Sequence, residues 1–214
     1  MRTSKADQIK ATYEKIKPKI ESRIEDFNEI WEEDEEKIFD EMVFCLFTPQ
    51  SKAKACWETV QELKEDDLLL GGCEENISEN IKKVRFRNNK ASYLVEAREK
   101  FVDDDISLKE KISGFKDQKE AREWVVDNVK GLGYKEASHF LRNIGKGEKL
   151  AILDRHILKN LVELGVIEEE PNTLTKKRYL KIEEKMEEFS AEIGIPIHHL
   201  DLVLWYEETG HIFK

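Results

Sequence analysis

The sequence predicts an all-α fold spanning all 214 residues as one unit. Three observations lead there. Apolar residues recur three and four positions apart in almost every stretch, the period of a helix face. No segment alternates apolar and polar residues as a half-buried strand does. Lys and Glu are abundant and only four prolines interrupt the chain, a composition that suits helices.

The helices follow in order. Ile20, Ile24, Phe27 and Trp31 mark one apolar stripe, and Ile38, Met42 and Cys45 mark a second that stops near Pro49. Ser51 is placed to cap a helix carrying Cys56, Val60 and Leu63, before Gly71 and Gly72 break the chain. Ile77, Ile81 and Val84 predict a short helix, and Asn88 a cap for one that buries Ala91, Leu94 and Val95. Asp117 and Glu120 form a capping box for a helix containing Ala121, Trp124 and Val125. A glycine turn leads into a helix that runs to about Asn143 and stops at Gly145. Asp154 opens another that ends at Leu164, before Gly165. Tyr179, Ile182, Met186, Phe189 and Ile193 line a long helix. Beyond Pro196 a last helix carries Leu200, Val203 and Leu204. Core packing is the plain reading of every one of these stripes.

The formal net charge is −10, which by itself disfavours a polyanionic partner. The acid is clustered, however, at Glu32 to Glu36, Glu65 to Asp67, Asp103 to Asp105 and Glu168 to Glu170. Lys82, Lys83, Arg85, Arg87 and Lys90 form a basic group elsewhere, so a basic face on an acidic protein is open. The three cysteines, Cys45, Cys56 and Cys73, include no close pair. They predict a reduced, cytoplasmic protein with neither a zinc site nor an iron–sulfur cluster. No apolar run approaches the roughly 20 residues that span a bilayer.

The most informative segment is Val129-Lys130-Gly131-Leu132-Gly133-Tyr134-Lys135, between two amphipathic helices. Two glycines around one leucine permit a tight turn with positive φ. The leucine tucks beneath it, and the amides that open the second helix face outward as a seat for a phosphate. A plain helix–helix connection fits the glycines equally well. Lys135 falls in the first turn of that second helix. The positive end of a helix disfavours an ammonium there, and a nucleophilic lysine requires the free amine. A solvated surface lysine is the commoner alternative. Asp154, one helix and one loop later, is placed to cap the helix that starts at Arg155. It reads either as a cap alone or as a catalytic carboxylate. His156 reads as structural.

Taken together, Gly131-x-Gly133-x-Lys135, a helix, and Asp154-x-His156 resemble the helix-hairpin-helix DNA glycosylase superfamily. In its bifunctional members a lysine follows the hairpin and an aspartate starts a nearby helix. The run from Gly131 to Asn143 and the segment from Ile152 to Leu158 are similar to the archaeal-type second family of 8-oxoguanine DNA glycosylase/AP lyases. So is Asp201-Leu202-x-Leu204-Trp205-Tyr206-x-x-Thr209-Gly210, followed by the terminal Lys214.

The resemblance implies two helical subdomains with the active site in the cleft between them: residues 36–133 in the middle, and residues 1–35 packed with 134–214. It implies excision of 8-oxoguanine and strand cleavage by β-elimination, with Lys135 and Asp154 catalytic and the amides of Gly131 and Gly133 on the DNA backbone. Trp205 would stack on the extruded base, with packing in the last helix as its alternative. Lys214 would help read that base, with a frayed terminus as its alternative. Phe86 is a further wall for the base or a buried aromatic. The implied partner is double-stranded DNA containing 8-oxoguanine or an abasic site, bound by a monomer. No cofactor is implied beyond a monovalent cation at the hairpin turn.

One stretch departs from the second-family pattern. Phe47-Thr48-Pro49-Gln50-Ser51 reads like the endonuclease III branch, where a polar residue enters the gap left by the flipped base. Gln50 matches that wedge. A glycosylase for oxidised pyrimidines therefore stays open, as does a non-catalytic helix-hairpin-helix module.

Overall fold

The computed structural model describes residues 4–103 and 106–214; Asp104 and Asp105 of the third acidic run lie outside them. Among the described residues there are twelve α-helices, one π-helical turn and no strand. α1 (Lys5–Glu32) opens at Ser4 with a reciprocal cap to Asp7, and buries Ile9, Tyr13, Ile16, Ile20 and Phe27 along one stripe. α2 (Glu35–Phe47) opens at Asp34, which caps Lys37 N, and is buried on all sides from Ile38 to Phe47.

α3 (Ala53–Glu65), α4 (Leu68–Gly71), α5 (Glu74–Asn80) and α6 (Arg87–Arg98) follow. Two of the expected caps move. Lys52, not Ser51, holds the N-cap of α3, and Ser51 Oγ instead accepts from Arg85 N at 3.0 Å. Phe86, not Asn88, holds the N-cap of α6, in a left-handed conformation. Asn88 lies inside that helix, and its Oδ1 accepts from Ser78 Oγ at 2.7 Å. In both cases a partner distant in sequence wins the polar side chain that local pattern would give to the helix end. α5 stops at Asn80, so Ile81 and Val84 are buried in the turn after it rather than within it.

A π-helical turn (Glu99–Asp103) leads to α7 (Leu108–Ser113), α8 (Gln118–Asn128), α9 (Tyr134–Asn143), α10 (Arg155–Glu163), α11 (Lys176–Ile193) and α12 (Ile197–Thr209). Asp117 caps α8 through Lys119 N at 2.9 Å, one residue short of the expected bond to Glu120. Asp154 caps α10 as expected, accepting from Ile157 N at 2.8 Å.

The buried apolar side chains form two clusters. One joins α2, α3, α5, α6 and α8, with Phe39, Phe44 and Phe47 at its centre. The other joins the first half of α1 to α10, α11 and α12 around Ile16, Leu161, Met186 and Leu200. α9 lies between them. Its Ala137, Phe140 and Leu141 belong to the first cluster, while its Tyr134 packs against the second.

A buried polar network fixes how α9 meets the chain that enters α10. Arg122 of α8 and Glu183 of α11, both almost fully buried, pair at 2.6 and 2.8 Å. Arg122 also donates to Ser138 Oγ of α9 at 3.2 Å. Glu183 accepts from Ala151 N at 2.9 Å, and the Tyr179 hydroxyl donates to Ala151 O at 2.6 Å. Burying two charges is costly unless both are paired and their remaining hydrogen bonds are filled. Here the added bonds fall on the segment that leads directly to Asp154.

Candidate active site

The turn between α8 and α9 has the geometry its glycines predict. Gly131 has φ +93, a conformation that side chains rarely adopt. A Cβ there would also collide with the Tyr93 ring. Leu132 is buried beneath the turn, and its N–H donates to Val129 O at 3.2 Å. Gly133 is the N-cap of α9 and brings no side chain to it. The first amides of α9 are therefore available to an anion.

Lys135 follows in the first turn of α9, with Nζ 3.2 Å from Glu136 Oε1 and its side chain about one-fifth exposed. Lys135, His139 and Arg142 recur four and three residues apart, so they share one face of the helix. Asp201, Trp205 and Glu208 recur in the same way on α12. The two faces meet where Arg142 Nη1 pairs with Asp201 Oδ2 at 3.3 Å. Asp154 also borders this pair. Burial, with the negative charge of Asp154, pushes the Asp201 carboxyl up to about 6 against the pull of Arg142.

Beside Asp154, the edge of the His156 ring meets Trp205, with centroids 5.2 Å apart. Trp205 is half-buried and belongs to neither apolar cluster. His156 Nδ1 lies 3.7 Å from Glu208 Oε2, and Glu208 is held by Lys159 and Asn160.

The C-terminus folds back onto α2. The Lys214 ammonium pairs with the buried Glu41 carboxylate and sits 3.5 Å from the centre of the Trp57 ring. Asn143 Nδ2 donates to the second Glu41 oxygen at 3.0 Å. Burial draws the Lys214 amine down from its ordinary value in spite of Glu41. The α9 face that carries Lys135 reaches the same place, since the His139 ring meets Phe44 edge-on at 5.5 Å and the Lys214 ammonium lies 5.6 Å from the centre of that Phe44 ring. His139 is held well below the usual histidine range, by burial first and then by the charges of Arg142 and Lys135.

The structure thus brings Lys135, Asp154, Trp205 and Lys214 around one set of side chains on α2, α9, α10 and α12. Gln50 and Phe86 lie apart from that set, on two neighbouring exposed turns. Phe86 is 56% exposed, stands beside Arg85, and is neither buried nor against Trp205. Lys83 of the basic group is paired with Glu62 at 2.5 Å. Among the described residues no cluster of three His, Cys, Asp or Glu is placed to hold a metal ion, and no helix is long and apolar enough to cross a membrane.

Several participants escaped the sequence reading. Glu41 and Trp57 reach the site only through tertiary packing: Glu41 stands out as a charge within an apolar helix, but nothing in the local pattern of either residue names its partner. Arg142, Asp201 and Glu208 did leave a signal: polar residues at helical spacing from Lys135 and Trp205, on helices that must bury that face.

A helical fold, a glycine hairpin that opens amides at a helix start, a lysine in the following turn and an aspartate capping the next helix define a helix-hairpin-helix protein. The family model for 8-oxoguanine DNA glycosylase matches residues 20–195. The 8-oxoguanine DNA glycosylase/AP lyase of Fusobacterium nucleatum is 49% identical over 97% of each chain. The crystal structure of the 8-oxoguanine DNA glycosylase of Thermotoga maritima superposes with a TM-score of 0.87, at 35% identity and 98% coverage of each chain. The 8-oxoguanine glycosylase/lyase of Methanocaldococcus jannaschii, in complex with a 15mer DNA containing 8-oxoguanine, gives a TM-score of 0.88 at 35% identity, covering 98% of this chain and 99% of that one. The chain belongs to the 8-oxoguanine DNA glycosylase family.

Proposed function

We propose that the protein is a bifunctional 8-oxoguanine DNA glycosylase/AP lyase, acting on double-stranded DNA with Lys135 as its nucleophile. The observation that carries this reading is the position of Lys135: within the first turn of α9, whose amides are open at the hairpin, on the face whose Arg142 meets Asp201. Family membership and the DNA complex of the Methanocaldococcus jannaschii relative support the substrate.

The chemistry follows from these positions. A base inside the stack shields its C1′ atom, so the nucleotide must first be everted, at a cost of a few kcal/mol. The amides around Gly131 and Gly133 grip the phosphates while this happens, and a monovalent cation on the turn would strengthen that grip. Residues 36–133 act as one lobe and residues 1–35 with 134–214 as the other, with α9 at the seam, where its Ala137, Phe140 and Leu141 pack into the cluster of the first lobe. Trp205 offers a π-face to the everted base, and Lys214, seated against Glu41 and Trp57, helps read that base.

As the bond from C1′ to the base breaks, Asp154 stabilises the positive charge that develops on the sugar. The free amine of Lys135 bonds to C1′, with its proton passing to a carboxylate such as Asp154 or the adjacent Glu136. The departing base takes up a proton, the C1′–O4′ bond opens with a proton passing to O4′, and the resulting Schiff base acidifies the C2′ hydrogen. Loss of that proton expels the 3′ phosphate and cuts the strand. The enzyme works as a monomer and without a metal, and its three free cysteines fit a reducing cytoplasm.

Borohydride trapping on an 8-oxoguanine duplex tests the proposal. Wild-type protein should form a covalent adduct and Lys135→Gln should form none. An adduct that persists in Lys135→Gln would refute the nucleophile, and no adduct with either protein would favour a non-catalytic DNA-binding module. The Pro49-Gln50-Ser51 turn leaves an oxidised-pyrimidine glycosylase as the second reading. Faster release of thymine glycol than of 8-oxoguanine would favour it.

A further inference from the structure

Lys90 is a buried lysine that the chemistry above does not use. It is 4% exposed, and its ammonium meets three oxygens: Phe47 O at 2.7 Å, Pro49 O at 2.8 Å and Ser51 Oγ at 3.4 Å. All three of its donors therefore point at the one short turn that carries Gln50. Cys56 Sγ, at 3.2 Å, shares the Phe47 oxygen. Ser51 Oγ passes the connection on, because it accepts from Arg85 N at 3.0 Å. Gln50 and Phe86 each stand one residue from that last bond.

These two residues are unusual in the same respects. Both have positive φ, Gln50 at 56 and Phe86 at 58, a region that non-glycine residues seldom occupy and only at a cost. Both are exposed. A strained backbone under an exposed side chain persists only when its surroundings hold it. Here the surroundings are a cation removed from water. A methionine would fill the same volume without that cost, so packing alone does not account for a lysine.

We propose that Lys90 is a positioning residue: its ammonium clasps the Phe47–Ser51 turn, and through Ser51 the Arg85–Phe86 turn, so that Gln50 and Phe86 enter the duplex as one rigid two-pronged probe. This rests on the glycosylase reading and on the wedge role of Gln50. It assigns the clasp to Lys90 and Ser51 and joins Phe86 to the probe.

A double-mutant cycle tests it in single-turnover excision from an 8-oxoguanine duplex. Lys90→Met should slow wild-type protein about tenfold, yet slow Gln50→Ala/Phe86→Ala protein less than about twofold, because residues acting through one unit are non-additive. A 2-aminopurine placed opposite the lesion should lose its fluorescence rise in Lys90→Met as it does in the probe variant. If Lys90→Met melts unfolded, Ser51→Ala enters the same cycle. Equal slowing in both backgrounds would make Lys90 a packing residue and overturn the clasp. A probe variant as fast as wild type would overturn the wedge role instead, and the clasp with it. A wild-type protein that releases no 8-oxoguanine would bring down the underlying reading and everything built on it.

Discussion

The Lys214 ammonium lies 3.5 Å from the centre of the Trp57 ring, so the Lys214 side chain is seated on an aromatic face of α3. The same ammonium neutralises Glu41, which is 1% exposed. Deleting Lys214 removes a cation from a site where the carboxylate would keep only Asn143. Breaking a buried pair costs about 3–5 kcal/mol, and the partial exposure of Lys214 places this one at or below the low end. The deletion should lower the melting temperature. It should also reduce discrimination of 8-oxoguanine over guanine about tenfold or more, while changing abasic-site cleavage less than about twofold. Equal losses on the two substrates would show that the terminus supports the fold without reading the base.

Asp154 has two functions that one substitution separates. As a cap it accepts from Ile157 N at 2.8 Å, and asparagine caps a helix about as well as aspartate does. In the proposed mechanism its carboxylate faces the sugar, and asparagine brings no charge. Asp154→Asn should therefore melt close to wild type and bind lesion duplex, yet excise the base about a hundredfold more slowly. An unaltered single-turnover rate would reduce Asp154 to its cap.

The expected all-α class and the glycine hairpin were legible in the sequence because each depends on local pattern. Helical spacing survives any tertiary arrangement, and only glycine suits the φ +93 that the turn requires at position 131. The caps at Ser51 and Asn88 were misread because their hydroxyl and amide meet Arg85 N and Ser78 Oγ, groups distant in the chain. The neighbourhood of Lys214 was illegible for the same reason. Glu41 lies in the middle of an apolar helix, where sequence marks it as an exception to the core pattern and says nothing of its partner. Phe86 was read as pocket wall or core because aromatics are usually covered. Its exposure follows from the left-handed turn that starts α6, which directs it away from both apolar clusters.

Gly131→Ala probes the hairpin. The substitution forces a side chain into φ +93 and into the Tyr93 ring. Strain of this kind costs about 1–3 kcal/mol before any clash is counted. The variant should melt earlier, and the turn should shift enough to misalign the amides that hold DNA phosphate. Its affinity for undamaged duplex should fall along with its affinity for lesion duplex, since phosphate contacts are blind to sequence. A loss confined to lesion DNA would contradict the backbone role of the hairpin.

Stability toward acid should depend on His199. Its Nδ1 shares a hydrogen bond with the Tyr13 hydroxyl at 3.0 Å. Burial, helped by the neighbouring His198, lowers it from 6.5 to about 4. Between those two values the unfolded chain binds a proton that folded His199 refuses, so stability falls as the pH drops from about 6.5 to about 4. The loss is on the order of 2 kcal/mol. His139, also held low by burial, acts in the same direction. Asp201 opposes both: held up at about 6, it keeps a proton in the fold that an unfolded aspartate releases, and so gains stability on acidification from about 6 toward 4. His199→Gln leaves Tyr13 a hydrogen-bonding partner while removing the titration. Melting temperature plotted against pH should then decline less steeply across this window than in wild type. An identical slope would show that His199 takes up its proton without unfolding and that the acid sensitivity resides elsewhere.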